Sequence, residues 1–244
     1  MTNNDQDHAS GKGNGQFHRR VLEARGGLFT VATTIAILIG GIVEIVPMYT
    51  AGAGPETGDW VTPYTPLEVA GRDIYIREGC YLCHSQWVRP MRAEVLRYGE
   101  WSRAPEYQFD RPFLLGSRRM GPDLHRLSQK YPDAWHFEHM RDPRSTSPGS
   151  VMPPYAWLHE ATVDPGDIMA SVRALKKAGV PYSEADVEGV AASMAAQGQE
   201  IVNSLASANL NTTADTEIVA LIAYLQRLGR EGKAYLSSQP GGEE

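Results

Sequence analysis

The residues best suited to chemistry stand in one run, Cys80-Tyr81-Leu82-Cys83-His84. Two thiols three positions apart, with an imidazole beside the second, form the attachment pattern of haem c. The spacing lets both sulfurs bond to the two vinyl groups of one porphyrin. The imidazole of His84 then sits over the iron as the proximal ligand. Other uses of a cysteine pair fit less well. A structural zinc site needs four ligands, and the chain has only these two cysteines. A thioredoxin-like pair needs a βαβ setting, and no strand pattern lies nearby. A disulfide across so short a loop is strained. One covalent haem c is the expected cofactor.

The sixth iron position needs a second donor. Met91 lies too close in sequence to His84 to reach the opposite face of the ring. Met120, Met140 and Met152 remain, with His125, His136 and His139 as bis-histidine alternatives. Met152 is the preferred candidate. It lies in Ser150-Val151-Met152-Pro153-Pro154, where prolines restrict the backbone and can aim a thioether. A Met/His pair also raises the iron's potential, which suits a carrier that donates to an oxidant. Between the two ligands runs Gly121-Pro122-Asp123-Leu124. A carbonyl from this turn, that of Pro122, can accept the other ring N–H of His84 and fix its orientation. Arg118 and Arg119 are candidates to pair with the haem propionates. The competing reading of this stretch is an ordinary exposed turn.

Helices must position these groups. Glu217 to Leu225 carries apolar residues at helical spacing and stops before Gly229, a natural C-cap. In the stretch Leu67 to Gly79, Gly71 and Tyr75 share one face by their spacing of four. A glycine there admits a second helix, with Leu221, Tyr224 and Leu225 as its expected partners. That is how a class I cytochrome c packs its first helix on its last. About 67 residues separate His84 from Met152, and Trp157 to Asp215 adds another long insert. Two helices are expected in it, Asp164 to Lys177 and Ser183 to about Leu205, broken by Gly179 and Pro181. The second has a polar face of Glu184, Glu188 and Gln199 and reads as surface structure.

Upstream, Gly26 to Tyr49 is almost wholly apolar. At ~1.5 Å per residue it reaches roughly 36 Å, enough to cross a ~30 Å hydrocarbon layer with some tilt. Lys12, Arg19, Arg20 and Arg25 precede it, and Glu56, Asp59 and Glu68 follow. The basic flank stays in the cytoplasm, which sends the rest across the membrane. Ala51-Gly52-Ala53 imitates a signal-peptidase site, but the apolar run exceeds the 7–15 residues of a signal peptide. An uncleaved single anchor is expected. Within it Glu44 follows Gly40 and Gly41, a small surface where another helix can approach. The expected layout is a polar cytoplasmic tail (1–25), an anchor helix (26–49), a linker (50–66) and a periplasmic haem domain (67–244) with its insert at about 160–215. The fold class is all-α, one transmembrane helix followed by a class I cytochrome c-like domain.

Composition agrees. The 244-residue chain has a net charge of −6 and 42% apolar residues. That acid surplus excludes a general nucleic-acid binder. Ordinary apolar content excludes global disorder, and a mean hydropathy below zero excludes a polytopic membrane protein. Residues 85–150 alone are basic, with 11 Lys and Arg against 8 acids, and arginine suits carboxylate partners.

The ordered set of residues resembles a family. Gly71-Arg72-Asp73-Ile74-Tyr75-Ile76-Arg77-Glu78-Gly79-Cys80, His84-Ser85-Gln86, Arg89-Pro90, Arg97-Tyr98-Gly99 and Gly116-Ser117 contribute to it. So do Gly121-Pro122-Asp123-Leu124, Met152-Pro153, Tyr155, Trp157-Leu158, Gly179-Val180-Pro181-Tyr182 and, in the span, Gly40 to Pro47. They resemble the monohaem cytochrome c subunit, subunit II (FixO or CcoO family), of cbb3-type cytochrome oxidases, over about residues 25–230. The resemblance implies an anchor in the bacterial inner membrane beside the catalytic haem b/copper subunit I, with the haem domain in the periplasm. It implies electrons arriving from a dihaem cytochrome c subunit or a soluble cytochrome c and leaving to the low-spin haem b of subunit I. His84 and Met152 are its implied axial ligands. Met120 and His125 depart from the family pattern, which expects a small polar residue and Ala there. The chain would relay electrons in aerobic respiration without reducing oxygen itself. The cytochrome c subunit of a nitric oxide reductase and a freestanding membrane-anchored cytochrome c share this outline. A haem peroxidase usually needs a second haem, and the chain has one attachment site.

Overall fold

The computed structural model describes residues 18–50, 58–116 and 118–238. The polar residues 1–17, the Ala51-Gly52-Ala53 stretch and most of the expected linker lie outside the described residues. Among the described residues there are helices and turns and no strand, only an isolated antiparallel bridge between Thr162 and Thr216. The all-α class holds. Two compact units divide the chain, Met1–Glu56 and Thr57–Glu244.

The first unit is helix α1, Gly26–Thr50, preceded by a π-helical turn at His18–Glu23. Its segment Gly26–Val46 is long and apolar enough to cross a membrane. Large apolar side chains are exposed around it, Ile37 and Val43 among them, as a lipid-facing helix requires. Glu44 is also exposed. A methyl group built on Gly40 or Gly41 would meet nothing within 4 Å, so the small surface beside Glu44 is open.

The second unit contains α2 (Pro66–Arg77), α3 (Arg92–Tyr98), α4 (Asp133–Arg141), α5 (Pro143–Thr146) and α6 (Pro165–Lys177). It continues through α7 (Glu184–Glu188), α8 (Val190–Ser207), α9 (Glu217–Arg227) and α10 (Arg230–Ser237). Helix α2 begins where Thr65 and Glu68 exchange side-chain bonds with each other's backbone N–H, at 3.3 and 2.9 Å, and Pro66 opens the first turn. Glu68 is fully buried, with Arg230 at 3.1 Å and Arg227 at 3.5 Å. The start of α2 is thereby tied to the end of α9 and the start of α10.

Helix α2 crosses α9 at Gly71. A Cβ there would run into the Ala220 carbonyl oxygen and come within 2.7 Å of Tyr224 Cβ. Tyr75 and Tyr224 meet one turn on, ring centroids 5.4 Å apart. The expected crossing is present, with the Ala220 backbone rather than the Leu221 side chain in closest contact. Nearly all of α9 is buried, as a central helix must be.

The insert departs from expectation in two ways. The helix expected from Ser183 to about Leu205 breaks at Gly189 into α7 and α8. Nor does it merely cover the surface. Val187, Val190, Met194, Ile201 and Leu205 are buried in the main core, and Gly198 lets the Ala214 carbonyl approach to 2.6 Å of where a Cβ would stand. Its exposed polar face concealed an apolar stripe on the other side.

Candidate haem site

Glu78 caps the C-terminus of helix α2, and Gly79 takes a left-handed conformation (φ 71°) that suits glycine. The chain then turns through a 3₁₀ segment, Cys80–Leu82. The N–H groups of Cys83 and His84 both donate to the Cys80 carbonyl, at 3.1 and 2.9 Å. This tight turn brings both thiols and the imidazole to one place. Both cysteines are free and half-buried. Burial pushes the Cys80 thiol up to about 12.

His84 has a fixed tautomer. Its Nδ1 lies 2.8 Å from the Pro122 carbonyl oxygen, which can only accept, so Nδ1 carries the proton and donates. Nε2 keeps its lone pair. Burial lowers the His84 pKa against the opposing pull of the Pro122 carbonyl, and the ring is held neutral, as a metal ligand must be. Gly121 lies flat against the ring; a Cβ there would stand 2.6 Å from Nδ1. Sequence reading assigned the Gly-Pro turn only a carbonyl, and missed that its glycine is the floor under the imidazole. The same turn is stitched to the attachment loop by Gly121 N–H to the Cys83 carbonyl, 3.1 Å, and Leu124 N–H to the Ser85 carbonyl, 2.9 Å. Asp123 fastens it further, accepting from Ser85 Oγ at 2.6 Å and from the N–H groups of Trp87 and His125 at 2.8 Å each.

Arg119 is taken up in this scaffold. It donates to Ser85 Oγ, the Trp87 carbonyl and Glu94, each at 2.7 Å. Arg119 and Arg89 together hold the Glu94 carboxyl down to about 2. Arg119 thereby forms an internal clamp on residues 85–94. Arg118 is exposed and has no ion pair among the described residues.

The sixth-ligand candidates lie in different settings. Met152 is partly buried and packs against the core. Its loop is held by Ser150 Oγ, which accepts from Met152 N–H at 3.2 Å, and by Tyr155 N–H donating to the Met140 carbonyl at 2.8 Å. Met152 and Tyr155 pack against the same buried core as Cys80, and burial raises the Tyr155 hydroxyl pKa. Met140 is a buried core residue. Met120 is exposed, 3.9 Å from Cys83 Sγ, beside the His84 turn.

Among the histidines, His125 is committed to Glu106 at 3.1 Å and stacks on Tyr107. His136 is buried edge-on to Tyr131 and Trp135, and burial lowers its pKa to about 4. His139 stacks on Trp135 and bonds to Thr146 Oγ1 at 2.6 Å. Burial is the main cause that lowers its pKa.

The donor set fits a c-type haem: two free thiols one turn apart, an imidazole with its proton on Nδ1, and a thioether loop packed on the same core as Cys80. No individual curated protein matches the chain. A family model described as cytochrome C oxidase, mono-heme subunit/FixO matches residues 19–231, which takes in the apolar helix, the Cys80–His84 turn, the Gly-Pro floor and the Met152 loop. With the match running through every part of the site, the chain belongs to the FixO family of mono-haem cytochrome c oxidase subunits.

Proposed function

We propose that the chain passes single electrons through one covalently attached haem c, within a cbb3-type oxidase. The donor is the dihaem cytochrome c subunit or a soluble cytochrome c, and the acceptor is haem b of the catalytic haem b/copper subunit. The observation that carries this reading is the His84 tautomer, proton on Nδ1 toward Pro122 and lone pair on Nε2. With that proton fixed, Nε2 is the nitrogen left to hold iron, next to the two thiols that would tether the ring.

Bound here, a haem c supplies one reversible one-electron couple. The rest is done by side chains. Cys80 and Cys83 would tether the ring, and His84 would ligate its iron. The Pro122 carbonyl and Gly121 keep the imidazole from rotating. Met152 would offer a thioether as a further ligand. Tyr75, Leu67 and Leu158 close the interior to water, and a dry surrounding with a sulfur ligand raises the potential of the site. The apolar helix α1 anchors the chain in the bacterial inner membrane, with the basic flank cytoplasmic and the Thr57–Glu244 unit periplasmic.

Purification of the chain from its native membrane tests the reading. Haem that resists acid-acetone extraction and gives a c-type pyridine haemochrome, together with co-purifying haem b and copper, is the expected result. Absence of covalent haem refutes it. Haem b with non-haem iron points to a nitric oxide reductase instead.

A further inference from the structure

Away from the haem site a cleft of about 550 Å³ opens between the end of α3, the loop before α4 and helix α10. That volume falls within the ~300–1,000 Å³ of small-molecule sites. Arg97, Lys130 and Lys233 line it, one from each segment. None of the three has an acidic partner among the described residues. The Arg97 guanidinium rests 5.2 Å from the Tyr98 ring centroid and the Lys130 ammonium 5.8 Å from that of Tyr131, contacts that leave the charge uncompensated.

The other charges of the cleft are already paired. Arg126 is gripped by both oxygens of Glu106 and also donates to the Glu100 and Trp101 carbonyls, at 2.8 and 3.0 Å. Glu100 faces Arg103 at 4.0 Å. Three cations without an acidic partner among the described residues thus line one cleft of a chain whose net charge is −6. A bound anion would supply the missing partner. Leu228 and Leu236 add apolar surface to the same cleft, and Ser128 and Ser237 bring hydroxyl groups.

We infer that this cleft binds a phosphate ester, its phosphate held by Arg97, Lys130 and Lys233 and its organic part against Leu228 and Leu236. The site is separate from the haem donor set and does not depend on it. The same chemistry is offered by a soluble phosphate ester and by the headgroup of an anionic phospholipid.

Full-length haem-loaded chain in neutral detergent distinguishes the two sources. Titration with glycerol 3-phosphate and native mass spectrometry with added phosphatidylglycerol are run on the wild type, on a Lys130→Gln/Lys233→Gln variant, and on Lys176→Gln as a control outside the cleft. Only binding lost in the double variant counts, since lipid also contacts the anchor. The expected result is binding of one probe that weakens roughly tenfold or more in the double variant, falls with added salt, and is unchanged in the control. Loss confined to glycerol 3-phosphate assigns a soluble ester, and loss confined to phosphatidylglycerol assigns a lipid headgroup. If neither probe distinguishes wild type from double variant, the inference is overturned. It is equally overturned if only poly-glutamate does so, which makes the cleft a docking point for an acidic protein. All three residues are exposed, and unchanged helical and haem spectra verify that each variant folds.

Discussion

Gly71 and Ala220 bring two helices into backbone contact, the Ala220 carbonyl oxygen occupying the space a side chain at 71 would need. The obstacle is main chain, not the tip of a flexible side chain, so it cannot move aside locally. Gly71→Ala should separate α2 from α9 and loosen the Tyr75–Tyr224 contact. Overpacking of this kind costs roughly 2–3 kcal/mol, or about 5–10 °C in melting temperature for a unit of this size. Thermal unfolding of the haem-loaded protein checks it, and an unchanged midpoint would show that the helices do not cross there.

The distal ligand has a spectroscopic test. With Met152 as sixth ligand, Met152→Ala should abolish the weak sulfur-to-iron absorption band of the oxidised haem and lower the reduction potential. His139→Ala should leave that band in place. The opposite pattern, with the band untouched by Met152→Ala, would transfer the role to Met120 or Met140. Histidine-like axial spectra lost in His139→Ala would assign His139.

Acid should destabilise the Thr57–Glu244 unit through Glu106. Burial raises its pKa, but Arg126 and His125 outweigh that and hold the carboxyl down to about 2, against an ordinary value of 4.5. A depressed pKa adds stability above the ordinary value and loses it as pH falls toward the folded value. Stability should therefore decline between about pH 4.5 and 2. Glu106→Gln should flatten this decline while lowering stability at pH 7 by roughly 3–5 kcal/mol, because it strands a buried guanidinium. Denaturant melts at several pH values decide it; parallel pH profiles for wild type and variant would count against the assignment.

What the sequence made legible was local. The tight turn of Cys80 to His84 follows from one contiguous run, the apolar run of α1 needs only counting, and Gly71 with Tyr75 marks a crossing by spacing alone. Pro122 was readable because a carbonyl in a Gly-Pro turn depends on backbone, not on a partner far away. The charges were not. Nothing in the sequence links Arg119 to Glu94, and Glu68 gave no hint of Arg227 and Arg230, some 160 positions on. Ion pairing is fixed by tertiary placement, for which no periodicity exists. The break at Gly189 was missed for a related reason: a single glycine inside a helical pattern is tolerated as often as it interrupts.

Arg119 allows that difference to be measured. A propionate partner would stabilise the oxidised or reduced haem unequally, so its removal would shift the reduction potential with little effect on folding. A clamp on Glu94 predicts the reverse. Arg119→Gln should lower stability by about 1.5–3 kcal/mol, the range for hydrogen bonds to charged groups, with a small change in potential. Glu94→Gln should cost a similar amount. The double variant should cost clearly less than the sum, because the two residues share one interaction. Additive losses, or a potential shift in Arg119→Gln that Glu94→Gln does not reproduce, would return Arg119 to the propionates. The clamp reaches His84 through Ser85 and Asp123, so a sub-additive cycle would also trace how residues with no contact to iron keep its ligand in place.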